Sequence, residues 1–177
     1  MIKMLNRFMR NFNLLIMEKE LPRHDMGERK RLKIHILTVS SSRSLETDES
    51  GKLIEDFMNT EHQVSRSLCP DEQIRILREI FCNIEKDAII VTGGTGPSVK
   101  DVTITAISKI AEKEIRGFGE LFRQYSGKDI AYFSNASLFI VGRTQIYCLP
   151  GSADSVKRGL EVIDKFIYHV YHELHKE

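Results

Sequence analysis

The run from Ala88 to Thr92 constrains the fold most, because apolar and β-branched residues occupy both faces of this short strand. A strand that is apolar on both faces is typical of the centre of a parallel sheet with helices on each side. A similar run, from Leu32 to Ser40, precedes it. The sequence therefore predicts a buried, mostly parallel sheet.

Helical patterns alternate with these strands. We predict a further strand at Val64–Leu68, and helices through Leu53–Met58, from Pro70 (apolar face Ile74, Leu77, Ile80 and Phe81), after Lys100 and after Ser152. A hairpin is expected where Leu138–Val141 and Gln145–Leu149 flank Gly142-Arg143. The order predicts an α/β fold, a three-layer α/β/α sandwich with a mostly parallel central sheet and an edge hairpin.

Composition excludes several classes of protein. The chain of 177 residues is 41% hydrophobic and 29% charged, as expected of one soluble globular domain. Its net charge of +1 gives no overall field for nucleic acid or an anionic membrane. No apolar run approaches the ~20 residues that span a bilayer. The three isolated cysteines indicate reduced thiols, so we predict a cytoplasmic protein with no nucleic-acid or membrane partner.

Residues 1–32 are predicted to be an extension and linker before a domain at residues 33–177. Ile2, Leu5, Met9, Phe12 and Ile16 have helical spacing, so an amphipathic helix could dock on a neighbouring subunit. A disordered leader or an early start codon explains the same residues equally well. A secretory signal does not, because basic residues interrupt the apolar stretch.

The segment from Thr92 to Gly96 follows the buried strand directly and holds three glycines in four positions. Glycine permits positive φ and close approach of a ligand to the backbone, and the N–H groups can cradle a phosphate. The segment is neither a Walker loop, since no Gly-Lys-Ser/Thr follows, nor a G-x-G-x-x-G motif. A tight turn without a ligand remains an alternative.

Five spaced motifs carry a family resemblance. They are Thr92–Gly96 followed by Asp101-Val102-Thr103; Ile36–Ser40 followed by Asp48-Glu49-Ser50-Gly51; Pro70-Asp71-Glu72; Glu114, Gly117–Glu120 and Arg123; and Leu149–Ser152. Together they resemble the MoaB/MogA family of molybdenum cofactor biosynthesis proteins, MoaB above all. The resemblance implies a trimer or hexamer. It also implies that AMP passes from ATP to the terminal phosphate of molybdopterin with Mg²⁺, and that pyrophosphate is released.

The resemblance also assigns the site. Asp71 and Asp101 would be the catalytic carboxylates and the Mg²⁺ ligands. The substrate- and nucleotide-binding residues would be Thr92, Gly93, Gly94, Thr95, Gly96, Asp48, Ser50, Lys100, Glu120, Arg123, Pro150, Gly151 and Ser152. Simpler explanations stand beside these roles: helix caps for the aspartates and serines, a surface ion pair for Glu120 and Arg123, and an ordinary exposed lysine for Lys100.

The chain departs from the family pattern at two places near the expected phosphate site. Thr105 stands where an acidic residue is usual, and Asn135 replaces an arginine. An amide does not reproduce the planar bidentate fork of arginine. Lys100, Arg123 or Arg143 could supply the charge instead. A molybdopterin-binding or assembly protein without catalysis is therefore the alternative function. The sequence shows neither a histidine metal site nor a Ser-His-Asp arrangement.

Overall fold

The computed structural model describes residues 30–176, which alternate between strands and helices as the sequence predicts. The elements are β1 (Lys33–Val39), α1 (Glu49–Met58), β2 (Gln63–Cys69), α2 (Gln73–Cys82), β3 (Ala88–Thr92), α3 (Thr103–Ile107), β4 (Lys113–Ile115), α4 (Arg116–Ser126), a 3-10 helix (Asp129–Phe133), β5 (Ser137–Val141), β6 (Thr144–Leu149) and α5 (Ala153–Leu174). The extension predicted before residue 30 lies outside the described residues.

The six strands form one sheet in the order β2-β1-β3-β6-β5-β4. The first four run parallel, whereas β5 is antiparallel to both of its neighbours. In register, Thr38 pairs with Thr92, and Thr92 pairs with Leu149. The loops after β1, β3 and β6 therefore leave the sheet at one edge, where ligands bind in open α/β sheets.

Alternate residues of each strand face opposite helical layers, as the predicted three-layer sandwich requires. Ile34 and Ile36 of β1 pack with buried residues of α1, α4 and α5. Leu37 and Val39 pack with α2 and α3 on the other face. The fold class is confirmed, and the β5–β6 hairpin lies on the antiparallel side of the sheet, with β4 beyond it.

Helix α2 buries a different face from the predicted one. Ile76 and Ile80 are fully buried, but Ile74 is 72% exposed and Phe81 is 54% exposed. Residues 74, 77 and 81 have helical spacing as well, so periodicity alone does not choose between the two stripes. The prediction was therefore wrong for Ile74 and Phe81.

The cysteines were predicted to be reduced thiols, and no apolar run was long enough to span a bilayer. All three cysteines are free, and burial raises the pKa of the Cys69 thiol to about 12. Burial likewise raises the pKa of Cys148. Within residues 30–176, every helix is too short or too polar to cross a membrane.

Candidate functional site

The backbone between β3 and α3 requires glycine at two positions. Gly93 has φ +102° and Gly94 has φ +63°, a region that other residues rarely adopt. A Cβ on Gly93 would overlap the carbonyl oxygen of Val39, and one on Gly94 would overlap the hydroxyl of Thr103. The loop therefore packs directly against the end of β1 and the start of α3.

Hydrogen bonds fix this loop through its carbonyl groups. Thr103 donates its hydroxyl to Gly93 O (2.9 Å) and its N–H to Gly94 O (3.1 Å). The N–H of Asn135 donates to Thr95 O at 2.9 Å. The N–H groups of Gly94, Thr95 and Gly96, in contrast, donate to no group within residues 30–176. Successive N–H groups without partners are a backbone arrangement that can bind an anion, as the sequence predicts for this loop.

The turn after β6 lies beside this loop. Thr92 donates its hydroxyl to Pro150 O at 3.1 Å, and a Cβ on Gly151 would lie 3.4 Å from Gly93 Cα. Ser152 caps α5, because its Oγ accepts the N–H of Ser155 at 3.3 Å. The positive end of a 22-residue helix therefore stands next to the glycine loop.

The two segments share a cleft of about 550 Å³, within the size range of small-molecule sites. It is lined by Gly94, Thr95, Gly96, Pro97, Asp101, Ile130, Phe133, Ser134, Pro150, Gly151 and Ser152. Most of the predicted loop and turn residues thus meet in one place. Thr92 and Gly93 lie behind it, both buried.

Neither predicted catalytic carboxylate is a helix cap. The Asp101 carboxylate accepts the N–H of Ser98 at 3.0 Å, while α3 begins two residues later after Val102. Asp71 accepts the Ser41 hydroxyl at 2.7 Å, and the cap position of α2 belongs to Glu72. The capping explanation is therefore wrong for both aspartates. Asp101 lines the cleft, whereas Asp71 lies outside it, at the end of β2.

The two residues predicted from the first helix have structural contacts. Asp48 is 1% exposed, caps α1 through the N–H of Gly51 (2.9 Å) and accepts the Thr38 hydroxyl at 2.6 Å. Ser50, which is also buried, donates its hydroxyl to Gly151 O at 2.8 Å. Asp48 therefore stabilises the start of α1, and Ser50 fastens α1 to the turn that lines the cleft.

Three further predicted binding residues, Lys100, Glu120 and Arg123, do not line the cleft. Lys100 and Glu120 are exposed. Arg123 donates from Nη1 to Ser134 O at 3.3 Å and forms no ion pair with Glu120. Its contribution is to position Ser134, which does line the cleft. The surface ion pair considered for Glu120 and Arg123 is therefore wrong.

The sequence analysis missed Arg43, a cation of the β1–α1 loop. Its Nη1 lies 3.4 Å from Gly151 O and 3.5 Å from Ser50 Oγ. Arg143, suggested as a source of charge, lies in the β5–β6 turn at the opposite edge of the sheet. The sequence does contain a signal for Arg43: it is a basic residue in the loop after a buried parallel strand, and such loops border the ligand sites of open α/β sheets.

The apolar lining was missed as well. Ile130 and Phe133 come from the 3-10 helix, which was not predicted from the sequence. The signal was the run Ile130-Ala131-Tyr132-Phe133, directly before Ser134. Asn135, the departure from the family pattern, has an exposed side chain and holds the loop through its backbone.

Known proteins share this sequence and architecture. A family model described as "Probable molybdopterin binding domain" matches residues 35–169. Molybdenum cofactor biosynthesis protein B of Staphylococcus aureus (strain COL) is 36% identical over 168 residues, covering 85% of this chain and 100% of that protein.

Solved structures agree. A crystal structure of molybdenum cofactor biosynthesis protein B superposes with a TM-score of 0.80 at 34% identity, covering 85% of this chain and 100% of the other. The tungsten cofactor synthesizing protein MoaB from Pyrococcus furiosus has a TM-score of 0.76 at 30% identity, covering 84% and 100%. The chain therefore belongs to the molybdopterin-binding MoaB/MogA family of molybdenum cofactor biosynthesis proteins.

Proposed function

We propose that this chain is a Mg²⁺-dependent molybdopterin adenylyltransferase, which transfers AMP from ATP to the terminal phosphate of molybdopterin. One observation carries the proposal: the free N–H groups of Gly94, Thr95 and Gly96 share a cleft with the carboxylate of Asp101. Backbone N–H groups bind phosphate oxygens, and a nearby carboxylate binds the hard cation that accompanies a polyphosphate.

The reaction needs positioned phosphates rather than a protein nucleophile. An oxygen of the molybdopterin phosphate attacks the α-phosphorus of ATP, and a new P–O bond forms. The bond from that phosphorus to the oxygen bridging to the β-phosphorus breaks, and its electron pair leaves with pyrophosphate. The N–H groups of the glycine loop and the N-terminus of α5 at Ser152 hold phosphate oxygens during this exchange.

The donor set suits Mg²⁺ only when substrate phosphates complete it. Residues 30–176 contain no group of three or more acidic, histidine or cysteine side chains arranged to hold a metal. Mg²⁺ characteristically uses one or two carboxylates, waters and substrate phosphates, so Asp71 and Asp101 would hold it. When bound, it neutralises the charge that develops on the phosphates. Asp71 follows β2 and Asp101 follows β3, and strand β1 lies between these two strands. Substrate phosphates would therefore have to lie between the two carboxylates.

The decisive experiment measures pyrophosphate release by the full-length chain with molybdopterin, ATP and Mg²⁺. Asp101→Asn and Asp71→Asn keep the side-chain shape and remove the charge, so each is expected to lower turnover at least about 100-fold. Asp164→Asn is the matched control, because it makes the same change at an exposed position of α5 that does not line the cleft. Turnover unchanged in both aspartate variants would refute the assignment of these carboxylates.

The second candidate is a molybdopterin-binding or assembly protein without catalysis. The exposed side chains of Asn135 and Thr105, where the family pattern has an arginine and an acidic residue, favour it. It predicts molybdopterin binding by calorimetry and no pyrophosphate release with ATP and Mg²⁺. Release that depends on Asp101 would exclude it.

The proposal includes a homo-oligomer, a trimer or a hexamer. Light scattering on the full chain gives the number of subunits. Deletion of residues 1–17 then tests the predicted amphipathic helix. A smaller assembly would support docking on a neighbouring subunit, and an unchanged mass would refute it.

A further inference from the structure

The 3-10 helix exposes two large apolar side chains to the cleft. Ile130 is 72% exposed and Phe133 is 66% exposed, and both line the cleft that contains the glycine loop. Other exposed apolar residues, such as Ile74 and Phe81 of α2, do not line it. One side of the cleft is therefore an apolar wall, formed by Ile130 and Phe133.

Hydrogen bonds hold this wall against the glycine loop. The N–H of Asn135 donates to Thr95 O at 2.9 Å, and the N–H of Ser134 donates to Ala131 O at 3.1 Å. Arg123 of α4 donates to Ser134 O at 3.3 Å. Ala131, between the two wall residues, is 8% exposed and anchors the 3-10 helix in the protein. The apolar wall thus has a fixed position relative to the free N–H groups.

We propose that Phe133, together with Ile130, forms the contact surface for the flat face of a bicyclic heteroaromatic ring. The phosphate of the same ligand lies on the N–H groups of Gly94, Thr95 and Gly96. This inference rests on the proposed function and deepens it. The cleft offers an apolar wall next to an anion cradle, which matches a ligand with a flat apolar ring and a phosphate. Pterin and adenine share this chemistry.

Stacking on an aromatic side chain tolerates any flat ring, because every such ring has a π-face. Loss of one stacking partner weakens base binding by roughly 10- to 100-fold. Tyr132 provides a matched control within the same helix, since it is 64% exposed but does not line the cleft.

The test titrates neopterin monophosphate and, separately, AMP into the full-length chain and follows binding by calorimetry. Pterin fluorescence provides a second readout, because the chain contains no tryptophan. We expect Phe133→Ala to weaken binding of at least one probe about 10-fold or more, Phe133→Tyr to restore it, and Tyr132→Ala to leave it within twofold. The affected probe identifies the ring, pterin or adenine.

Three results would overturn the inference. If Phe133→Ala binds every probe that wild type binds, and binds each equally well, the apolar wall has no such role, while the proposed function stands. If wild type binds neither probe, the proposed function fails as well. If Phe133→Ala lowers the mass measured by light scattering, the wall is a contact between subunits instead.

Discussion

Two polar regions of the molecule satisfy their hydrogen-bonding groups in opposite ways. In the first, which we call the His35 chain, Nδ1 of His35 contacts Ser65 Oγ and Nε2 contacts Ser67 Oγ, both at 2.9 Å. Ser67 donates onward to Glu79 Oε2 at 2.8 Å. With the Ser67 hydrogen used in this way, neutral His35 donates from Nε2 and accepts from Ser65 at Nδ1. Both ring nitrogens then have a partner.

The cleft is the opposite case. Its glycine-loop N–H groups have no partner within residues 30–176, and Asp101 accepts one backbone N–H. None of the four residues of the His35 chain lines the cleft. The His35 chain, in which Ser67 links the histidine to a carboxylate, therefore lies outside the cleft, whereas the cleft combines glycine-loop backbone with apolar side chains and Asp101. Three successive N–H groups without a partner among the described residues, rather than a cluster of polar side chains, distinguish the cleft from the His35 chain.

The largest expected effect tests how tightly the loop beside the cleft is built. Gly93→Ala must combine φ +102° with an overlap against Val39 O, so it should cost about 3 kcal/mol or more of unfolding free energy. Gly142→Ala is the control: its φ is +58°, but nothing lies within 4 Å of the added Cβ, so about 1–2 kcal/mol is expected. Equal losses in chemical denaturation would contradict a tightly packed loop.

The second prediction sets the two regions directly against each other. His35→Ala removes a buried ring and leaves two serine hydroxyls without this partner, so we expect a loss of about 2–3 kcal/mol in urea denaturation. Asp101→Ala should change stability by about 0.5 kcal/mol, because its one hydrogen bond lies in a partly exposed loop. Pyrophosphate release should show the opposite order, with a larger loss of turnover in Asp101→Ala than in His35→Ala. The contrast fails if His35→Ala abolishes turnover while remaining folded.

Much of the fold could be predicted, because its strands carry local signals. The apolar runs of β1 and β3 identify buried parallel strands without any knowledge of their partners. Strand β4 carries no such signal: it is three residues long, all exposed, and forms by pairing with β5. Its existence depends on a long-range contact, which local periodicity does not encode.

The candidate site was predictable where the backbone dictates residue type. Gly93 and Gly94 are needed for positive φ, and the parallel topology brings the Pro150–Ser152 turn to the same edge. Arg43 and Phe133 were not predictable in the same way. Arg43 lies in a loop and contacts the turn that lines the cleft, and Phe133 lies in a short 3-10 helix, so the direction of each side chain depends on tertiary packing.

The third prediction concerns the hydrogen bond that joins the two kinds of region. Ser50 is buried like His35, but its hydroxyl donates to Gly151 O, in the turn that lines the cleft. Ser50→Ala should lower the unfolding free energy by about 1 kcal/mol and weaken AMP binding slightly. Ser108→Ala removes an exposed hydroxyl and is the control. If Ser50→Ala and Ser108→Ala have the same unfolding free energy, the hydrogen bond from Ser50 to Gly151 O does not contribute to stability.

The smallest effect concerns pH. Burial lowers the pKa of His35 below its usual value of about 6.5; Lys86 adds to this lowering, and Glu79 opposes it. The unfolded chain therefore takes up a proton where the folded chain does not, so the stability from neutral His35 is complete above about pH 6.5 and is lost as the pH falls below it.

One proton limits the slope to about 1.4 kcal/mol for each pH unit. Burial also lowers the pKa of His62, so the wild-type slope contains both histidines. The difference between wild type and His35→Ala isolates the contribution of His35. Identical slopes in wild type and His35→Ala would mean that folded His35 carries a proton beside Glu79. His35 would then donate from both ring nitrogens, and the neutral tautomer assigned above would be wrong.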